Sequence, residues 1–242
     1  MEKHAAYTGT RNLYGDMETA AKSLIGMTSV DKVHFLIEDD EFPNELPDLI
    51  ECHNVSNQTF FKPETPNMQS QFSYMAMMRI ALCHVLDENI HRVLSLDCDT
   101  IAAKDLSNLW ELPIDDYYFS ATHEWHKSNN GLLYCNHGVV LYNLDKMRDG
   151  KADECIDVLN KRRYTWVEQD VGNYLCQGRI YDMPALYNSN YWTDKGKPSD
   201  FPYIIHYAGL NHEDWCNNNE VVYWRNMPWD QVLSFHEYRC KG

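Results

Sequence analysis

The chain has 242 residues, 44% of them hydrophobic and 24% charged, which suits one large domain with its own core. Its 36 acidic residues outnumber 21 Lys and Arg, and the net charge of −15 excludes a general nucleic-acid or anionic-membrane surface. No stretch reaches the ~18 apolar residues of a membrane span, and the N-terminal MEKHAAYTGT lacks the apolar core of a secretory signal, so no transmembrane segment is expected. Eight cysteines without Cys-x-x-Cys spacing are read as reduced thiols of a cytoplasmic protein.

His4 to Thr8 reads as an opening strand, followed by the loop Gly9 to Gly15. Asp16 is expected to N-cap a helix whose inner face carries Met17, Ala20, Ala21 and Leu24. Nucleotide-binding α/β domains open with such a strand, loop and helix, but this loop lacks the Gly-x-Gly-x-x-Gly of a dinucleotide site. Tyr14 either stacks on a base or covers the sheet edge. Val33 to Ile37 reads as a second strand, with a solvated acidic loop at 38–41, and Leu49 to Val55 as a shorter third. A long helix is predicted from about Gln71 to Leu86, with Met75, Met78, Leu82 and Val85 at helical spacing. Arg79 lies among those apolar residues and needs an anionic partner, either a carboxylate or the phosphates of a ligand.

The stretch RVLSLDCDT, residues 92–100, runs a buried strand straight into Asp97-Cys98-Asp99. Ligands bind at the carboxyl ends of strands in open α/β sheets, and paired carboxylates there suit a hard divalent cation shared with phosphate oxygens. The alternative is a solvated acidic turn. Beyond it, a helical turn is expected at 105–112, a strand at 117–122 and a polar loop at 123–131 containing His123 and His126. Cys135 to Asn143 reads as a buried strand, with Gly138 allowing a ligand close to the backbone beside Asn136 and His137. Helices are predicted at 152–161 and 171–176, strands at 180–183 and 203–207, and a tail of short helix and loops from 211.

VLSLDCD, DLSNLWEL, YCNHGVVLYNLDKMR, VEQDVGN and HYAGLNHEDW, in this order along nearly the whole chain, resemble glycosyltransferase family 8. The resemblance implies a GT-A-type α/β fold, a Rossmann-like mixed sheet flanked by helices in a single domain. It implies a retaining hexosyltransferase that moves glucose or galactose from a UDP-sugar. Asp97, Asp99 and His206 take the positions of the family's Mn²⁺ ligands, with Mg²⁺ a possible substitute, though an imidazole suits Mg²⁺ less well. Thr8, Thr10, Asn12 and Tyr14 fall in the first, nucleotide-recognising loop, where the family's usual aspartate is absent. Arg79, Cys98, His137 and Gly209 fall among the nucleotide-sugar contacts, and Asn136 beside the donor sugar. Glu168, Gln169 and Asp170 match an Asp-Gln-Asp element, with Gln169 where the family places a polar amide beside the anomeric carbon. His212 stands where a diphosphate-binding lysine is usual, so activity rising toward mildly acidic pH is expected.

Residues 1–112 are expected to serve the nucleotide, 113–210 the donor sugar and acceptor, with 211–242 a tail. The acceptor (a glycan, lipid-glycan, protein or small molecule) is expected against the variable stretches 123–131 and 187–202, which carry Trp125, Tyr191 and Trp192. Competing readings are a non-catalytic nucleotide-sugar- or glycan-binding relative, a sugar nucleotidyltransferase and a metal-dependent phosphohydrolase. The first would be favoured by loss of a metal ligand, and all three ligands are present. The second needs a Gly- and Lys/Arg-rich loop after the first strand, which YTGTRN is not.

Overall fold

The computed structural model describes residues 1–70, 72–127, 132–195, 199–209 and 212–241. Among the described residues the strands are β1 (His4–Thr8), β2 (Lys32–Ile37), β3 (Ile50–Asn54), β4 (Arg92–Leu96), β5 (Thr100–Ala102), β6 (Phe119–His123), β7 (Cys135–Asn143), β8 (Ile180–Asp182) and β9 (Ile204–His206). The helices are α1 (Tyr14–Met27), α2 (Tyr74–Met78), α3 (Leu82–Val85), α4 (Leu144–Lys146), α5 (Ala152–Lys161), α6 (Val167–Leu175), α7 (His212–Asn217), α8 (Asn219–Asn226) and α9 (Trp229–Cys240).

Seven strands form one mixed sheet in the order β3-β2-β1-β4-β7-β6-β8. The first four are mutually parallel, and β7 runs antiparallel to both β4 and β6. Alternate residues supply opposite faces, as a period of two requires. Tyr7, Phe35, Leu94 and Leu96 enter the core under α1 and the tail helices, whereas Ala6, Leu36, Val93 and Tyr142 face the core beneath α2, α3, α5 and α6. From β1 the chain winds outward through β2 and β3, then returns to lay β4 on the other side. The carboxyl ends of β1 and β4 therefore flank a reversal of strand order, where open α/β sheets form their ligand crevice.

The opening strand, the buried strand 135–143 and the helix 152–161 lie where the sequence predicts them. The helix expected over 71–86 is instead two short helices, and its first residue lies outside the described residues. Between them the backbone bonds run from Ile80 to Met77 and from Leu82 to Arg79, a tighter winding that ends α2 at Arg79. Asp16 is inside α1 and does not cap it; its carboxylate instead accepts Trp215 Nε1–H at 2.8 Å. Glu168, Gln169 and Asp170 belong to α6, which starts earlier than expected. The tail is almost wholly helical: Trp215 and Trp224 are buried, and a Cβ on Gly26 would lie 2.5 Å from the Trp224 ring, so α8 packs against bare α1 backbone. β5, too short to show in sequence, pairs with β9 in a separate two-stranded sheet. Among the described residues no helix is long and apolar enough to cross a membrane.

Candidate active site

β4 ends at Leu96, and the next residue is pinned to the neighbouring strand by Asp97 N–H donating to Gly138 O at 2.8 Å. Thr100 Oγ1–H donates to Asp97 O at 2.7 Å, turning the chain at once into β5. In the β5–β9 pair, Thr100 lies opposite His206. His206, distant in sequence, is thereby brought to the aspartate pair: its Nε2 lies 3.4 Å from Asp97 Oδ2 and 3.4 Å from Asp99 Oδ1. The other ring nitrogen, Nδ1, lies 2.8 Å from Asn188 Oδ1. An amide oxygen only accepts, so Nδ1 carries a proton and Nε2 is the nitrogen turned toward the two carboxylates. That is the arrangement in which outer-shell groups hold a metal-ligating histidine.

The donor set fits a divalent cation. Burial alone would lower the His206 pKa, but Asp99 and Asp97 outweigh it and push it up to about 10. Burial would raise the Asp97 carboxyl, yet Arg79 and His206 hold it well below the usual range. A cluster that demands positive charge this strongly, with two carboxylate oxygens and one imidazole, has the ligand chemistry of Mn²⁺.

Arg79 has carboxylate partners within the protein. Its guanidinium donates to Asp97 Oδ1 and to His137 O, and its Nε lies 3.8 Å from Glu168 Oε1. Glu168 is buried, and burial pushes its carboxyl up to about 7 despite Arg79. Arg79 Nε and Glu168 Oε2 have no hydrogen-bond partner in the protein. Val167, a β-branched residue with φ of +28°, turns the chain into α6 immediately before them. Gln169 Oε1 accepts His137 N–H at 2.9 Å, and its Nε2 donates to Tyr134 Oη at 3.1 Å. Asn136 donates to Glu124 Oε1 at 3.0 Å and accepts from Gly138 N–H and Asn188 Nδ2.

These groups lie where two cavities meet. The larger, of about 670 Å³, is bounded by Thr8, Thr10, Asn12, Asp16, Cys98 and Trp215; the smaller, of about 310 Å³, by Asn136, His137, Gln169, Trp192 and Gly209. Arg79, Asp97 and Asp99 line both. Thr8 Oγ1 is buried without a hydrogen-bond partner. His212 lines the larger lobe with its Nε2 2.9 Å from Asp16 Oδ2.

Two expected site residues lie elsewhere. Tyr14 is buried, stacks on Phe42 and donates its hydroxyl to Asp39 at 2.9 Å, so it props the loop after β2 and offers no stacking face. Asp170 lines neither cavity; its carboxylate accepts Tyr134 Oη–H at 2.6 Å and Trp166 N–H at 2.9 Å, fixing the start of α6. Sequence reasoning missed Asn188, Glu124 and Lys127. Glu124 pairs with Lys127 at 2.8 Å, and both line the smaller lobe beside His126. The one signal for Asn188 was the polar run Asn188-Ser189-Asn190 between apolar segments, which has no reason to be buried unless it orients something. His123 pairs with Asp182 on the neighbouring strand. Of the two acceptor stretches, 128–131 and 196–198 lie outside the described residues, as do Leu210 and Asn211 of the last motif. Trp125, Tyr191 and Trp192 all expose part of their rings.

The model of the family described as "Glycosyl transferase family 8" matches residues 4–217. The chain belongs to glycosyltransferase family 8. It is 24% identical to glycosyltransferase GlyD of Streptococcus pneumoniae over 98% of this chain and 32% of that protein. It is 25% identical to a lipopolysaccharide 1,2-glucosyltransferase of Escherichia coli, over 80% of this chain and 68% of that protein. The chain thus spans about a third of the first relative's length and about two thirds of the second's. Among solved structures, galactosyltransferase LgtC in complex with donor and acceptor sugar analogs superposes with a TM-score of 0.70 at 17% identity, over 95% of this chain and 99% of that one. The GT-A fold of these family 8 glycosyltransferases is therefore the fold of this chain.

Proposed function

We propose that this family 8 member transfers a hexose, glucose or galactose, from a UDP-sugar to a glycan, lipid-glycan, protein or small-molecule acceptor, with retention at the anomeric carbon and with Mn²⁺ (or Mg²⁺) at Asp97, Asp99 and His206. One observation carries the reading: the larger and smaller cavities meet at the two carboxylates and Arg79. A diphosphate at that junction would leave its nucleoside in the larger lobe, against Thr8, Thr10 and Asn12, and its sugar in the smaller, against Asn136 and Gln169. Cys98, His137, Gly209 and His212 complete the surrounding wall. Residues 1–112 would then serve chiefly the nucleotide and 113–210 the sugars, with the tail lending His212 and Trp215. A cytoplasmic setting goes with the UDP-sugar donor.

The residues support a front-face route. Gln169 is a neutral amide, and Glu168 is held beside Arg79, so neither offers a free carboxylate nucleophile. Arg79, buried and always charged, would face charge growing on the departing diphosphate without reorganising. The leaving phosphate would take the acceptor's proton, with Asn136 and Gln169 orienting the sugar. When bound, the ion supplies Lewis acidity toward the diphosphate.

The test is Mn²⁺-dependent UDP release from a panel of UDP-sugars by the wild type and Asp99→Asn. Release from one sugar, lost in the variant and with chelator, supports the reading and names the donor. Mn²⁺-dependent UDP binding with no release from any sugar, across a panel of glycan acceptors, would favour the binding-only relative. Absence of UDP binding would refute both.

A further inference from the structure

We propose that His34, Glu51 and His53 form a second metal site, for Zn²⁺ or a similar borderline ion, at the outer edge of the main sheet and separate from the active-site cavities. β2 and β3 are parallel, with His34 opposite Glu51 and Leu36 opposite His53. Glu51 and His53, two apart on the edge strand, therefore share the face on which His34 stands. His34 Nδ1 lies 3.0 Å from His53 Nε2 and 3.9 Å from Glu51 Oε2, and His53 Nε2 lies 4.0 Å from Glu51 Oε1. Donors about 2.0–2.1 Å from a tetrahedral ion stand roughly 3.3 Å from one another, a spacing these distances bracket.

A second, independent feature orients the site. Glu2 Oε2 lies 3.2 Å from His4 Nε2, and His4 Nδ1 lies 3.0 Å from His34 Nε2. The carboxylate accepts from His4 Nε2–H, so His4 Nδ1 presents a lone pair and accepts from His34 Nε2–H. His34 Nδ1 is left with its lone pair aimed at His53 and Glu51. This carboxylate–histidine relay behind a ligand imidazole is the support that metal-binding histidines use. His34 is buried within the sheet, whereas Glu51 is exposed at its edge. Lys32, the nearby cation, is tied by its Nζ to Asp48 O at 2.9 Å.

Without an ion, His53 Nε2–H donates to His34 Nδ1, and Glu51 is left half-exposed. With one, His53 takes its Nδ1–H tautomer, and both lone pairs and the carboxylate point at the metal. Two imidazoles and one carboxylate favour zinc-like ions over Mn²⁺ and Mg²⁺, which select oxygen-rich sets. Water completes the fourth position, since Glu51 faces solvent. The bound ion would staple the edge strand β3 to β2.

The experiment titrates Zn²⁺ alone into the metal-stripped full chain, read by calorimetry and thermal melting, in the wild type, Asp99→Asn, His53→Ala and Glu51→Gln. The expected result is one Zn²⁺ that persists in Asp99→Asn, raises Tm there, and binds at least about tenfold more weakly in His53→Ala. Glu51 is exposed, so Glu51→Gln supplies the same comparison should His53→Ala fail to fold. Zinc binding that disappears in Asp99→Asn yet is unchanged in His53→Ala and Glu51→Gln, or no binding at all, would overturn the proposal. Because the readout is zinc and not UDP, its failure leaves the hexosyltransferase reading untouched.

Discussion

A side-chain carbon added to Gly138 would stand 2.0 Å from Cε1 of His206, so the imidazole rests on bare backbone of β7. No rotation of a buried ring relieves a contact that short. Gly138→Ala is therefore expected to push His206 out of reach of Asp97 and Asp99 and weaken Mn²⁺ binding by about tenfold or more, with an overpacking cost of about 1–3 kcal/mol. Gly15→Ala, where an added Cβ meets nothing within 4 Å, is the control. Manganese titration and urea unfolding of both variants check the pair.

Asn188 orients His206 without reaching the cavity itself. Asn188→Ala removes the acceptor at Nδ1 and frees the ring to adopt the other tautomer. Manganese affinity is expected to fall about 10- to 100-fold. Asn188→Asp keeps an acceptor and is expected to recover most of that loss. A purely structural role for Asn188 would move the unfolding midpoint of Asn188→Ala while leaving Mn²⁺ affinity unchanged.

Arg79 holds Asp97, the His137 carbonyl and Glu168 together. Arg79→Met leaves two carboxylates without their buried cation and is expected to destabilise the fold by about 3–5 kcal/mol. Adding Glu168→Gln to Arg79→Met removes one uncompensated charge and is expected to restore part of the loss. Urea midpoints of the single and double variants measure the coupling.

Among the buried groups that make stability depend on pH, His137 and Glu168 act in opposite directions. His137 is held down to about 3 by burial and by Arg79, against an unfolded value of about 6.5. The unfolded chain takes up that proton first, so this contribution is complete above pH 6.5 and is lost as pH falls toward 3. Glu168, raised to about 7, works the other way: its contribution is complete below the unfolded value near 4.5 and is lost as pH rises through 7. Urea midpoints of the metal-free protein are expected to peak between these limits. Glu168→Gln should make the alkaline limb shallower near pH 7, with His206, raised to about 10, supplying the remainder; an unchanged limb would place the Glu168 carboxyl at an ordinary pKa.

Much of this was legible because it is local. Strand β7 holds the apolar run Val139 to Tyr142, and the aspartates stand directly at the end of the largely apolar Val93 to Leu96, so that element and its chemistry lie within nine residues. Arg79 was legible as a charge among apolar neighbours, although its carboxylate partners come from β4's end and α6. The break between α2 and α3 was not legible, because the apolar spacing of Met75, Met78, Leu82 and Val85 continues across a turn that winds more tightly. Tyr14 and Asp170 misled for one reason: each lies in a matching stretch, but which way a side chain points depends on partners, Asp39 and Tyr134, supplied from elsewhere. Asn188 stood out only as part of a polar run, since its role is set by a histidine 18 residues later.

The pairing of β5 with β9 sets an order of events during synthesis. Asp97 and Asp99 are made early, whereas His206 arrives only after more than a hundred further residues have closed a long loop. A ribosome-bound chain that has already laid down β4 still lacks the imidazole, so the three-residue cluster would be complete only once β9 is docked. Closure of this cluster would thus mark the docking of β9, before the tail helices pack on α1, and partial translation products that stop short of β9 would present the two aspartates without their imidazole.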